Sequence, residues 1–271
     1  MNCVKELQQL YSAGEARAIY RMVMELRFGL SHTDVLLGKD TELSANDRAE
    51  LEIIMQRLLR GEPVQYVLGK AEFCGRTFRV TPDVLIPRPE TEGLITAAMR
   101  CCPPPARVLD IGTGSGCIAI SLAVKGYHST AFDISDEALK IARFNAARWH
   151  AEVDFRHEDI LHPTSTNEQW DIIISNPPYI CKHEADGMEP NVLNHEPHTA
   201  LFVPDNDPLL FHRAISRYAS GHLSAGGWLV LEINRAFGAE TCCLLEREGF
   251  VEVTRHKDEA QNDRIVLGRK A

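Results

Sequence analysis

The sequence predicts an α/β protein in which a doubly wound, largely parallel sheet follows a small helical segment. Three observations carry that class. From Arg107 onward, short apolar runs alternate with amphipathic stretches of helix length, the pattern of strands joined by crossover helices. Val108-Leu109-Asp110-Ile111-Gly112-Thr113-Gly114-Ser115-Gly116 reads as a strand, a glycine-rich turn and a helix start. Ahead of Gly61 the apolar residues recur at helical rather than alternating spacing.

Ser12-Ala13-Gly14-Glu15 has capping-box spacing and precedes Ala16, Ile19, Val23 and Leu26 on one helical face. Ser44-Ala45-Asn46-Asp47 repeats the start signal, and Leu51, Ile54, Met55, Leu58 and Leu59 form an apolar stripe that Gly61 ends. Residues 1–62 are therefore expected to be a helical domain whose stripes pack its core and which helps hold a macromolecular substrate. Residues 61–92 read as a strand-rich connector. Within it, Phe73 to Val80 suits a hairpin around Cys74-Gly75-Arg76, so 63–84 is assigned as a β-hairpin connector. The main domain then occupies 85–271. Leu85-Ile86-Pro87-Arg88-Pro89-Glu90 is stiffened by two prolines, and a helix from Thr91 carries Leu94, Ile95 and Ala98 on one face.

Strands are expected at 107–111, 129–133, 153–157, 170–175, 227–233, 250–256 and 264–267, with helices at 116–125, 136–147, 208–220 and 236–247. Asp207-Pro208 supplies an N-cap with proline at the first helical position, and Gly249 a stop.

The 271 residues suffice for one large domain plus a smaller one, and 44% hydrophobic with 25% charged residues is ordinary for a water-soluble globular protein. No apolar run approaches the roughly 20 residues that span a bilayer. The opening Met1-Asn2-Cys3-Val4-Lys5-Glu6 lacks a leader pattern, so a cytoplasmic location is expected, without membrane association. The eight cysteines include no Cys-x-x-Cys pair and read as reduced, mostly buried thiols. The net charge of −9 is uneven: residues 1–80 hold 11 Lys/Arg against 11 Asp/Glu, the remainder 18 against 27. An acidic main domain argues against a nucleic-acid substrate gripped by its backbone.

The candidate reaction centre is Ser175-Asn176-Pro177-Pro178-Tyr179, which ends the apolar run Trp170-Asp171-Ile172-Ile173-Ile174. Prolines cannot donate to a ladder, so the chain leaves the sheet at the carboxyl end of a strand, where open α/β sheets bind ligands. Asn176 offers an amide, Pro177 and Pro178 offer rigid carbonyls, and Tyr179 offers a flat face. The set suits a planar NH2-bearing group, either a side-chain amide or a nucleobase.

The glycine turn identifies the cofactor class. A dinucleotide fingerprint would place its third glycine at Cys117; here Gly112, Gly114 and Gly116 alternate with Thr113 and Ser115, and Asp110 precedes them. This form suits S-adenosyl-L-methionine, which has no pyrophosphate to cradle, with S-adenosyl-L-homocysteine as product. Asp133, ending the second strand, suits the ribose hydroxyls; Asp159 and Ile160, after the third, suit the adenine amino group and ring. Asn176 completes the cofactor set. His183, His195 and His198, near Glu184 and Glu196, have no compact ligand spacing, and no metal is expected.

Taken with Gly61-Glu62-Pro63-Val64-Gln65-Tyr66, Leu85 to Glu92, Asn176-Pro177-Pro178-Tyr179-Ile180, Glu196-Pro197 and Asp263-Arg264, these residues resemble the protein-(glutamine-N5) methyltransferases of the HemK/PrmC type. The resemblance runs through nearly the whole chain. It implies a Rossmann-like class I methyltransferase domain with a seven-stranded mixed sheet, a small N-terminal helical domain and a connecting β-hairpin. It also implies methylation of the glutamine in the Gly-Gly-Gln motif of peptide chain release factors. Separately, a monomer is expected, and from the acidic main domain no direct binding of nucleic acid. A sister group acting on a ribosomal protein's glutamine typically has Pro-Arg-Ser-Pro where this chain has Pro87-Arg88-Pro89-Glu90, which favours release factors. Adenine N6 methylation of nucleic acid is the alternative, and a binding module that has lost its chemistry is the other; intact Asp110, Asp133 and Asn176 argue against the second. Val203 to Asp207, Asn234, Glu158 and Ile160 depart from the family pattern.

The resulting expectation is that Asn176 and the Pro177 carbonyl accept hydrogen bonds from the glutamine NH2 while Tyr179 packs on the amide plane. Holding both reactants in attacking geometry lowers a barrier by roughly 7–11 kcal/mol at best.

Overall fold

The computed structural model describes residues 3–271, so the first two residues of the N-terminal reading lie outside the described residues. By contacts the chain forms two units. One runs to Lys70 and takes in Met188–His195; the other comprises Ala71–Gly187 and Glu196–Ala271.

The first unit contains α1 (Cys3–Leu7), α2 (Ala13–Phe28), α3 (His32–Leu36), α4 (Ala45–Leu58) and α5 (Val64–Leu68). Ser12 and Ser44 cap α2 and α4, each side chain accepting from the backbone N–H three residues on. Ala16, Val23, Met24, Met55 and Leu58 fill the core, with Val64 and Val67 of α5. Helix α5 corrects the expected strand-rich connector: Val64, Tyr66 and Val67 are strand-type residues, but all three are buried and their helix ends on Gly69 at φ 66°.

The hairpin begins earlier than expected and consists of β1 (Lys70–Phe73) and β2 (Arg76–Arg79). Its two-residue turn is Cys74-Gly75, with φ of 49° and 68°, the left-handed pair that matches strand twist. Then follow α6 (Glu92–Cys101), β3 (Arg107–Ile111), α7 (Cys117–Ala123), β4 (His128–Asp133), α8 (Asp136–Arg148), β5 (Val153–His157) and β6 (Trp170–Ser175). Beyond β6 lie β7 (Ile180–Cys181), α9 (Pro190–His195), α10 (His198–Leu201), β8 (Phe202–Val203), α11 (Leu210–His222), β9 (Leu223–Glu232), α12 (Gly238–Arg247), β10 (Phe250–Lys257) and β11 (Asp263–Lys270).

The sheet order is β10-β11-β9-β6-β3-β4-β5. The strands from β5 to β9 are parallel, and β11 runs antiparallel to both its neighbours. This is the mixed seven-stranded sheet expected. Its central strands are buried on both faces, which is why they read as continuous apolar runs. One face packs Ile118, Ile120 and Leu122 of α7 with Leu94 and Ile95 of α6; the other packs Ile215, Tyr218 and Leu245. The order reverses beside β3, so the loops after β3 and β6 diverge and leave a crevice at the strands' carboxyl ends. All eight cysteines are free, but only Cys3, Cys117 and Cys181 are buried, fewer than expected.

Candidate functional site

A cavity of about 440 Å³ opens at the carboxyl ends of β3, β4, β5 and β6. Gly112 to Ser115, Asp133, Asp159, Ile160, Asn176, Pro177 and Pro178 all line it. Three predicted residues do not: Asp110, Gly116 and Tyr179 lie behind the wall, and each holds part of it.

Asp110 is fully buried at the end of β3. Its Oδ2 accepts from Thr113 Oγ1 at 2.7 Å and from Ala119 N at 3.2 Å, clamping the glycine turn to the start of α7. Burial pushes its carboxyl up to about 7 despite those two bonds. Gly116 adopts φ 81°, and a Cβ there would lie 2.8 Å from Ile120 Cδ1 and 3.1 Å from Ala142 Cβ. Helix α8 therefore approaches the turn as closely as it does because residue 116 has no side chain.

Asp133 reaches the turn from β4. Its Oδ2 accepts from Gly114 N at 2.8 Å and its Oδ1 from Ser135 N at 2.9 Å. Each oxygen keeps a lone pair for a ligand hydroxyl. Burial raises this carboxyl above its ordinary range, opposed by the backbone donors. Asp159 is more open: Oδ1 accepts from Leu161 N and Oδ2 lies 2.9 Å from His162 Nδ1, which holds its pKa down. Ile160 packs against the apolar cluster that contains Ile215.

The Asn176 loop is held by bonds that sequence reasoning did not assign. Asn176 Nδ2 donates to Thr91 Oγ1 at 3.2 Å, and Thr91 donates to Glu232 Oε2 at 2.7 Å. Tyr179 is half-buried with its O–H donating to Glu232 Oε1 at 3.0 Å, so its hydroxyl faces the sheet rather than the cavity. Glu232 is itself 1% exposed, and desolvation raises its pKa against the pull of both hydroxyls. Asn234 donates to the Tyr179 carbonyl at 3.2 Å and to Glu184, so this departure from the family pattern ties the loop down. Glu196, also buried, accepts from Ile86 N at 3.3 Å and from the Arg88 guanidinium, joining the proline-rich segment to the loop carrying Pro197. The signal for Glu232 was present: an acid closing the apolar run Leu229-Val230-Leu231, just as Asp110 and Asp133 close theirs.

His183 groups with Cys181 and Asp205, whose ligand-type atoms lie within 4.8 Å of one another. Asp205 Oδ1 accepts from both the backbone N–H and the ring of His183, which accounts for the arrangement.

Residues 2–69 match the family model described as PrmC N-terminal domain, and residues 94–195 match the methyltransferase small domain. A release factor glutamine methyltransferase of Bacteroides thetaiotaomicron is 44% identical over 98% of this chain and 97% of its own length. One from Flavobacterium psychrophilum is 39% identical over 97% of this chain and 95% of its own. A solved methyltransferase from Pyrococcus furiosus shares the fold, with a TM-score of 0.55 at 17% identity, over 84% of this chain and all of that one. Full-length identity at this level, with both family models matched in order, places the chain in the release factor glutamine methyltransferase family.

Proposed function

We propose that the protein transfers a methyl group from S-adenosyl-L-methionine to the side-chain nitrogen of the glutamine in the Gly-Gly-Gln motif of peptide chain release factors. The observation that carries this reading is one cavity lined both by the glycine turn with Asp133 and by Asn176-Pro177-Pro178. The donor set fits the cofactor. Asp133 has lone pairs for ribose hydroxyls, Asp159 and Ile160 suit an adenine, and the turn from Gly112 to Ser115 lets a ligand approach the backbone. The bound cofactor supplies an activated methyl group on a sulfonium sulfur.

The chain's own residues then act on the amide. Asn176 Oδ1 and the Pro177 carbonyl accept from the glutamine NH2, orienting its nitrogen and stabilising positive charge as it develops. Pro177 and Pro178 keep those acceptors rigid, and Tyr179 supports the loop from behind through Glu232. No strong base is required, because the methylated amide sheds its proton afterwards. The helical N-terminal segment to residue 62 serves to hold the protein substrate, residues 63–84 connect, and 85–271 carry the transferase. The protein acts as a cytoplasmic monomer; among the described residues no helix is long and apolar enough to cross a membrane.

The test is incubation with labelled S-adenosylmethionine and a release factor, its Gly-Gly-Ala variant, a ribosomal-protein preparation and unmethylated DNA. Label on the release factor alone supports the reading. Label on ribosomal protein or DNA instead reassigns the substrate.

A further inference from the structure

A row of directed hydrogen bonds holds the Asn176 side chain from behind. It ends on Glu232, whose two carboxyl oxygens both accept. Thr91 donates its single hydroxyl proton to Glu232 Oε2 at 2.7 Å, so towards Asn176 Nδ2, 3.2 Å away, the same hydroxyl acts as acceptor. From the other side, Arg264 Nη1 lies 3.4 Å from the Tyr179 hydroxyl, and a guanidinium has no acceptor. Tyr179 must therefore accept from Arg264 and direct its own proton to Glu232 Oε1 at 3.0 Å. Asp258 holds the guanidinium in turn, with oxygen–nitrogen distances of 3.1 and 3.2 Å. Every donor in the row points inward to one buried carboxylate.

We propose that Thr91 and Glu232 are positioning residues that fix which way round the Asn176 amide sits, Nδ2 towards Thr91 and Oδ1 free for the substrate NH2. The inference rests on the proposed role of Asn176 as an acceptor. The oxygen and nitrogen of an amide are nearly equal in size, so packing alone does not choose between the two orientations. The direction of the hydrogen bonds does. A flipped Asn176 would set its own NH2 against the NH2 of the substrate.

Glu232→Gln reverses the row with little change of shape. Arg264 still obliges Tyr179 to donate, so Tyr179 takes the glutamine oxygen and leaves the glutamine NH2 facing Thr91. Thr91 then accepts from it and turns its own proton to Asn176, whose oxygen rotates inward. Thr91→Val removes the relay at nearly constant volume, and Thr91→Ser keeps it.

The experiment measures three quantities for wild type, Glu232→Gln, Thr91→Val and Thr91→Ser. These are kcat and KM for methyl transfer to a release factor, Kd for S-adenosylhomocysteine, and the side-chain 15N–1H resonances of Asn176. Glu232→Gln and Thr91→Val are expected to lower kcat roughly 100-fold or more, shift the Asn176 resonances and leave the cofactor Kd within about threefold. Thr91→Ser should retain wild-type behaviour. Unshifted Asn176 resonances with kcat near wild type in both variants overturn the proposal. So does a matching loss of cofactor affinity, or failure of Thr91→Ser, either of which marks a general structural role. A wild-type enzyme that leaves the release factor unlabelled defeats the functional reading instead. The resonances then decide alone: shifted in Glu232→Gln and Thr91→Val but not in Thr91→Ser supports the positioning role, and unshifted overturns it.

Discussion

Asn145 and Arg79 exchange two hydrogen bonds, so a helix side chain pairs with a strand residue as another strand would. Asn145 Oδ1 accepts from Arg79 N at 2.7 Å, and Nδ2 donates to Arg79 O at 3.0 Å. The same Nδ2 donates to Ser115 O at 2.9 Å. One fully buried amide on α8 thus secures both the hairpin edge and the glycine turn.

Asn145→Ala is therefore expected to cost about 2–4 kcal/mol, since it leaves buried backbone groups unpaired on two segments. Urea denaturation measures this. A loss below about 0.5 kcal/mol would show that water replaces the amide freely.

Two glycines of the turn separate backbone strain from crowding. Gly112 has φ 75° with open space where a Cβ would stand, whereas Gly116 at φ 81° has Ile120 and Ala142 in the way. Gly112→Ala should cost about 1–2 kcal/mol from its left-handed backbone alone. Gly116→Ala should add about 1–3 kcal/mol of overpacking against α8. Equal losses in chemical denaturation would mean that α8 yields without cost.

His212 is buried beneath the site, with Nε2 donating to the Glu232 carbonyl at 2.9 Å. Desolvation pulls its pKa from 6.5 down to about 4. Its folded pKa lies below the unfolded one, so its contribution is complete above pH 6.5 and is lost as pH falls towards 4. The loss amounts to about 3 kcal/mol. His212→Gln should flatten stability against pH in that window by about one proton. An unchanged slope would show that the imidazole is not the titrating group.

On the proposed reading, the two acids at the cofactor end differ in weight. Asp133 is mostly buried and bonded to the turn, while the side chain of Asp159 is 33% exposed and shared with His162. Asp133→Ala should weaken S-adenosylhomocysteine by about 2 kcal/mol, tenfold or more, and Asp159→Ala by less than about fivefold. Calorimetry that ranks them the other way would relocate the ribose.

Central strands were legible because burial on both faces leaves an uninterrupted apolar run, and Arg107–Ile111 and Trp170–Ser175 begin and end where that pattern does. The partly buried edge strand Val153–His157 was legible instead from its place in the alternation of strands and helices. Strand β9 starts at Leu223, ahead of expectation, because Ala225-Gly226-Gly227 reads as a turn yet continues the strand with Gly226 at φ 77°. The two-residue strands β7 and β8 left no periodicity to read, since their pairing joins segments about twenty residues apart. At the site, residues facing the cavity were found from motif chemistry. Thr91 and Glu232 were not assigned, because their contribution depends on bonds that span 85 and 141 positions.

The loop after β6 has a further consequence for substrate chemistry. Pro177 and Pro178 contribute no N–H to the wall they line, and one N–H of the Asn176 amide is committed to Thr91. A glutamate side chain has the outline of a glutamine but brings two negatively charged acceptors to a surface that offers acceptors in return. Such a mismatch excludes an analogue far more sharply than a difference in size does. On the proposed reading, this loop makes the enzyme refuse a release factor whose glutamine has been hydrolysed to glutamate.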